Sequence, residues 1–246
     1  YSKNVCELKY EFVNAYKGNS HTTEILPNVP AESFLINEKQ LSLLHEFLNV
    51  NPIYSNHIVE KISGVNYTIF EGDLNNYWID SIKHDASYAP FYPTWVLSAW
   101  GLALAAKNLG FEQIIDIGSG DGRIAYCGKT SGLESISIEI DENLVNLQED
   151  ISKKTGVEFN PKCADATIFN FEDIMPKKSI FVIGGVPEIG EVLAESVIKN
   201  VLEVLEMSDV SFVLTGSHSH REFSRDRTNS GWGTTIKKFE LEVMST

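Results

Sequence analysis

The chain has 246 residues, 43% hydrophobic and 22% charged, the make-up of an ordinary globular protein with room for one large core and a small accessory unit. A formal net charge of −14, from 34 Asp and Glu against 20 Lys and Arg, gives a surface that repels phosphate backbones. With no basic run to offset it, a nucleic-acid partner is disfavoured and a basic protein or small molecule suits better.

Cys6, Cys127 and Cys163 are too few and too scattered for a disulfide framework or a metal site, and they fit a reducing, cytoplasmic location. The longest apolar run, residues 96–106, is too short to span a bilayer, and the start carries no signal-peptide pattern.

Residues 1–90 differ in texture from the remainder and read as an N-terminal extension or substrate cap on a domain formed by 91–246. Residues 5–13 alternate like a strand, and 19–30 read as a polar, proline-marked loop. Asn37 is placed to cap a helix whose apolar face is Leu41, Leu44, Phe47 and Leu48. A second short helix is expected over 56–62, closing at Gly64, and a strand over 66–70. The segment 88–94 (Tyr-Ala-Pro-Phe-Tyr-Pro-Thr) precedes a helix over 95–108, with Thr94 as its cap. Its aromatics suit either a packed helix entry or the rim of a ligand pocket.

From 111 onward strands alternate with helices, which predicts an α/β fold with a largely parallel sheet and helices on both faces. Strands are expected at 111–117, 135–140, 157–163, 179–183 and 210–215, and a last one at 234–243. Helices are expected at 121–130, 142–155 and 188–207.

In such a sheet, ligands gather at the carboxyl ends of the strands. After the first strand stands Asp116-Ile117-Gly118-Ser119-Gly120-Asp121-Gly122-Arg123. Glycines there let a backbone approach a ligand, and the helix that follows offers N–H groups. The pattern is GxGxG; a dinucleotide fingerprint would want a glycine where Arg123 stands. Glu139 ends the second strand, where a carboxylate can accept from ribose hydroxyls. Asp165 follows the third, either as an acceptor for an adenine amino group or as a turn residue. Asp141 reads as an N-cap. Glu188, after the fourth strand, can either take a proton or cap its helix. His218 and His220 have no third ligand at sensible spacing, so no metal is expected.

DIGSGDG (116–122), SIEID (137–141) and CADA (163–166) together resemble the class I, seven-strand S-adenosyl-L-methionine-dependent methyltransferases, over residues 88–243. The resemblance implies a Rossmann-like class I sheet with a small N-terminal α+β extension. It implies a cofactor site of Asp116, Gly118, Ser119, Gly120, Asp121 and Gly122, with Glu139 at the ribose and Asp165 at the adenine. More narrowly, GSGDGRI (118–124), Tyr92-Pro93-Thr94 and Gly185-Val186-Pro187 are similar to archaeal protein-lysine methyltransferases and their mitochondrial relatives. That likeness implies that Tyr92 to Thr94 close over the cofactor, and that Tyr92 and Glu188 border a lysine channel as the catalytic candidates. Tyr88, Phe91 and Pro187 would line that channel. The place after the fourth strand reads Gly-Val-Pro-Glu, unlike the Asp/Asn-Pro-Pro-aromatic segment of amino-methylating DNA enzymes. A small-molecule acceptor, or a cofactor-binding subunit without activity, are the alternatives.

Overall fold

In the computed structural model, residues 1–75, 77, 91–174, 177–184, 187–215 and 232–242 are described, without the side chains at 173 and 187–189. Gln113–Ile117 and Ser179–Ile183 are buried at every position, as strands covered on both faces must be. They pair at the centre of a five-stranded sheet. Numbering strands in chain order, with β1 to β3 in the N-terminal unit, these are β4 and β7. They are joined by β5 (Glu134–Glu139), β6 (Pro161–Cys163) and β8 (Val210–Leu214). The order is β6-β5-β4-β7-β8, with every neighbouring pair parallel. The order reverses between β4 and β7, so the crevice at their carboxyl ends is where this topology holds ligands. The fold is a Rossmann-like α/β sheet.

Alternation along the strands separates the two faces. Ile114, Ile180 and Val182 pack against α3 (Val96–Asn108), α4 (Arg123–Ser131) and α5 (Glu142–Thr155). Ile115, Ile117, Phe181 and Ile183 face α6 (Pro187–Val204) and Trp232, which precedes α7 (Gly233–Lys238). Asp141 caps α5, its Oδ1 accepting from the Asn143 and Leu144 N–H groups, and Gly156 closes the helix at φ 68°.

The N-terminal unit is a three-stranded antiparallel sheet, ordered β1 (Thr22–Pro27), β3 (Val65–Gly72), β2 (Tyr54–Ile62), with helices α1 (Ser2–Ala15) and α2 (Glu38–Val50). It shares a core with the first face of the large sheet. Polar ties reinforce the joint: Trp100 Nε1 donates to Phe34 O at 3.2 Å, and Tyr126 Oη to Leu43 O at 2.9 Å.

Five expectations are corrected. Residues 5–13 form a helix, because Val5, Leu8 and Phe12 fall on one face of a 3.6-residue period and are buried. Residues 56–62 belong to strand β2: Ser63 and Gly64, at φ 48° and 87°, make the two-residue turn that returns the chain into β3. Gly64 therefore ends no helix. Within the expected loop, residues 22–27 form β1. Thr94 does not cap α3, whose N-cap is Trp95 with no capping side chain of its own. The last expected strand is helical over Gly233–Lys238, and its end lies outside the described residues. Among the described residues, no helix is long and apolar enough to cross a membrane.

Candidate functional site

The glycine turn leaves β4 with Gly118, Gly120 and Gly122 at φ 64°, 57° and 76°, a left-handed backbone that glycine alone adopts without strain. The surroundings fix that shape. The Gly118 and Ser119 N–H groups donate to Ile138 O at 2.9 and 3.3 Å, and Gly122 N–H to Ser119 O at 2.8 Å. From α5, the buried Gln148 amide donates to Ser119 Oγ and to Gly120 O at 2.9 and 2.7 Å. A Cβ on residue 122 would run into Phe159 and Gln148, and one on residue 120 into the ring of Phe91. At Gly118 the nearest atom among the described residues is Leu193 Cδ2, 3.8 Å from a Cβ, an ordinary contact distance.

Of the predicted residues, Asp116, Asp121 and Glu139 come together as buried carboxyls around this turn. Asp116 Oδ2 accepts from Ala125 N–H at 3.4 Å, in the first turn of α4. Burial holds its carboxyl well above the usual range, with the neighbouring Asp121 and Glu139 charges adding to the effect. Asp121 Oδ1 accepts from Arg123 N–H at 3.4 Å and from Arg123 Nε at 2.9 Å. Its Oδ2 accepts from Arg123 Nη2 at 2.6 Å and Asn51 Nδ2 at 2.9 Å. The carboxylate of Asp121 is thus committed inward, to Arg123 and Asn51.

Glu139 Oε2 accepts from Gly120 N–H at 2.8 Å, and its Oε1 from the Ile140 and Asp141 N–H groups at 2.9 and 3.1 Å. Burial raises its pKa and these N–H groups oppose the rise. A carboxylate has about four acceptor sites, so one remains for a hydroxyl.

Asp165 is half-buried, and its Oδ1 accepts from the Thr167 N–H and hydroxyl at 2.8 and 2.7 Å, an Asx turn that leaves Oδ2 for another donor. Ser119 is buried against Gln148. Thr94 meets the site through its carbonyl, which accepts from Arg123 Nη1 at 2.6 Å. Tyr92 is 80% exposed, one residue after Phe91. Glu188 lies in the first turn of α6, its side chain outside the described residues. Tyr88, Gly185, Val186, His218 and His220 also lie outside them.

Sequence reasoning missed Glu24, Asn51 and Tyr54. All are buried, and all reach Asp121 or Arg123 from the N-terminal unit. The signal at Glu24 was a single acid in Thr-Thr-Glu-Ile-Leu, which reads equally as a strand's solvent-facing residue.

The helix N-terminus after the turn is an anion site that the protein fills itself, with Asp116 and Asp121 on its N–H groups. Among the described residues, Glu24 joins Asp116, Asp121 and Glu139 as buried carboxyls here, beside the guanidinium of Arg123. Burial raises the pKa of Asp116, Glu139 and Glu24, so the site is rich in carboxyl oxygens that accept hydrogen bonds rather than in fixed negative charge. The adenosine-binding pattern fits as well: glycine backbone at 118, a strand-end carboxylate at 139 and another at 165. A separate cavity of about 570 Å³ lies at the opposite, amino end of the strands, between Gln113, Glu134, Ser135 and Pro161. It has no part in this site.

No protein-family model matches the sequence, and no curated protein is similar to it at a significant level. Among solved structures, the chain is similar to a protein of Pyrococcus horikoshii at 20% identity and a TM-score of 0.41, over 55% of this chain and 62% of that one. It is similar to the ribosomal protein L11 methylase of Lactobacillus delbrueckii subsp. bulgaricus at 13% identity and a TM-score of 0.42, over 63% and 76% of the two chains. An RNA methyltransferase of Salinibacter ruber in complex with S-adenosyl-L-homocysteine matches at 21% identity and a TM-score of 0.37, over 53% and 81%. The chain thus spans about three fifths of the length of the Pyrococcus protein. At these values the likenesses add nothing to the strand order, which defines the fold by itself.

Proposed function

We propose that the chain is an S-adenosylmethionine-dependent methyltransferase whose cofactor lies across the glycine turn, and that its acceptor is a protein lysine. One observation carries the cofactor reading: the helix N-terminus after the turn is capped by Asp116 and Asp121. A pyrophosphate would meet two N–H groups, of Arg123 and Ala125, already engaged by carboxyl oxygens at 3.4 Å, with Glu139 close by. The ammonium and hydroxyl groups of S-adenosylmethionine are donors that such carboxyl oxygens can accept from. Gly118 lets the cofactor approach the backbone, Glu139 accepts from its ribose, and Asp165 Oδ2 accepts from the adenine amino group.

When bound, this cofactor supplies an electrophilic methyl group on a leaving group that needs no further activation. The protein's work is alignment and exclusion of water. A lysine amine held in line with that methyl group would take it up, and the chain's own residues would orient the amine, keep water away and receive its proton. The attacking amine must be neutral, and apolar walls lower its pKa. Phe91, seated on Gly120, provides one such wall, with Tyr92 at the rim. To Glu188, directly after β7 in the first turn of α6, we assign the proton released by the methylated amine.

A net charge of −14 supports a basic protein acceptor over a phosphate-bearing one. Incubation with radiolabelled S-adenosylmethionine and cell extract tests the reading, and label is expected in protein, on lysine after hydrolysis. Label confined to nucleic acid or small metabolites would overturn the lysine acceptor. Binding without any transfer would make the chain a non-catalytic subunit.

A further inference from the structure

Arg123 is buried, and each of its five N–H donors has an acceptor. Nε and one Nη2 hydrogen go to Asp121, at 2.9 and 2.6 Å, and the other Nη2 hydrogen to Tyr54 Oη at 3.0 Å. The Nη1 hydrogens go to Thr94 O at 2.6 Å and to Glu24 Oε1. The Phe47 ring from α2 lies 5.9 Å from the guanidinium carbon. Glu24, on β1, uses its second oxygen to accept from Val96 N–H at 2.9 Å. It thereby caps α3, whose own N-cap residue Trp95 supplies no capping side chain. The next residue back, Thr23, takes the Trp95 Nε1 hydrogen on its carbonyl at 3.2 Å. One side chain thus joins the glycine turn, the Phe91–Val96 segment that leans on it, and the N-terminal sheet.

Buried ion pairs are seldom the most stable way to fill a core, because desolvation offsets most of their attraction; a packed apolar cluster would hold the fold as well. What the guanidinium provides beyond stability is geometry. Its planar fork fixes Asp121, and with it the path of the turn, relative to Thr94. Resting on the cofactor reading above, we propose that Arg123 is a positioning residue for the cofactor turn, anchored by Glu24 and Tyr54. The N-terminal sheet then sets cofactor affinity through this anchor, rather than acting as a cap over the acceptor.

The test is calorimetric titration of S-adenosylhomocysteine into the full chain and three variants, well below their melting temperatures. Tyr54→Phe deletes one acceptor of Arg123 at constant volume, and Glu24→Gln, titrated at pH 8, removes the anchoring charge. Leu8→Ala, at a buried position of α1 outside the network, destabilises the same unit without touching Arg123. Glu24→Gln and Tyr54→Phe are expected to weaken binding by on the order of ten-fold, the size of one lost charge-assisted hydrogen bond. Leu8→Ala is expected to lower the melting temperature while its affinity stays within about two-fold of the parent's. Should Glu24→Gln fail to fold, Tyr54→Phe decides. The proposal is overturned if Tyr54→Phe binds like the parent, or if Leu8→Ala weakens binding as much as the other two. A parent protein that binds no S-adenosylhomocysteine would remove the cofactor reading itself, and this proposal with it.

Discussion

Arg123 is one positive charge beside two buried carboxyls that it contacts directly, and that imbalance has a consequence at Glu24. Asp121 holds the guanidinium through two bonds, whereas Glu24 takes one hydrogen of it. Burial then outweighs the attraction of Arg123 and pushes the Glu24 carboxyl up to about 7 from 4.5. A folded-state pKa above the unfolded one means stability that is full below the unfolded value and is lost as pH rises through the folded one. The unfolding free energy of the parent, relative to Glu24→Gln, should therefore fall by about 2 kcal/mol between pH 5.5 and 8. Urea titrations at the two pH values check this, and a constant difference would contradict it. Gly122→Ala is the second test at this scale. The added methyl meets Phe159 and Gln148 at a φ of 76°, so a loss of about 2–4 kcal/mol in unfolding free energy is expected by the same titration.

Whole elements were legible where local chemistry and periodicity agree. Asn37 and Gln40 form a reciprocal capping box at the start of α2, with bonds of 2.9 and 3.1 Å, and the face of Leu41, Leu44, Phe47 and Leu48 is buried as expected. Asn37→Ala should cost about 1 kcal/mol in a thermal melt, with the same fold by circular dichroism. The central strands β4 and β7 could be read because covered strands are rich in apolar residues, Ile114, Ile115 and Ile117 in one and Ile180, Phe181, Val182 and Ile183 in the other. The N-terminal unit was harder. β2 is an edge strand with mostly exposed residues, which carries little periodic signal, and its partner β3 is distant from β1 in sequence. Gly64 marked a chain reversal in either reading; only the positive φ at Ser63 before it distinguishes a hairpin from a helix end. The glycine turn, Asp116 and Glu139 were legible for the same reason as β4: short-range order along the chain. Beyond Asp121, the residues that hold Arg123 are Glu24 on β1, Tyr54 on β2 and Thr94 before α3, and no local pattern announces them.

At the scale of the molecule, the N-terminal unit and the Rossmann-like sheet behave as one body, joined by a shared core and by the Arg123 network. A chain reduced to residues 91–246 would expose the apolar face of α3 and α4. It would also leave Arg123 and Asp121 without Glu24, Tyr54 and Asn51. Such a fragment should show no cooperative thermal transition, since it loses core contacts and strands a buried charge network together. A sharp melt of the isolated fragment would contradict this. The central claim concerns the turn itself. Within the turn, Gly118 is the position where a side chain disturbs the packing least: among the described residues its Cβ would meet nothing closer than 3.8 Å, and the added strain is that of the left-handed φ of 64°. Titration of S-adenosylhomocysteine into the parent and Gly118→Arg, with NAD as a second ligand, is the most direct measurement. Saturable binding of S-adenosylhomocysteine by the parent is expected, none by a variant that still melts cooperatively though at a lower temperature, and no NAD binding by either. Equal affinity in parent and variant, or NAD binding in place of S-adenosylhomocysteine, would contradict it.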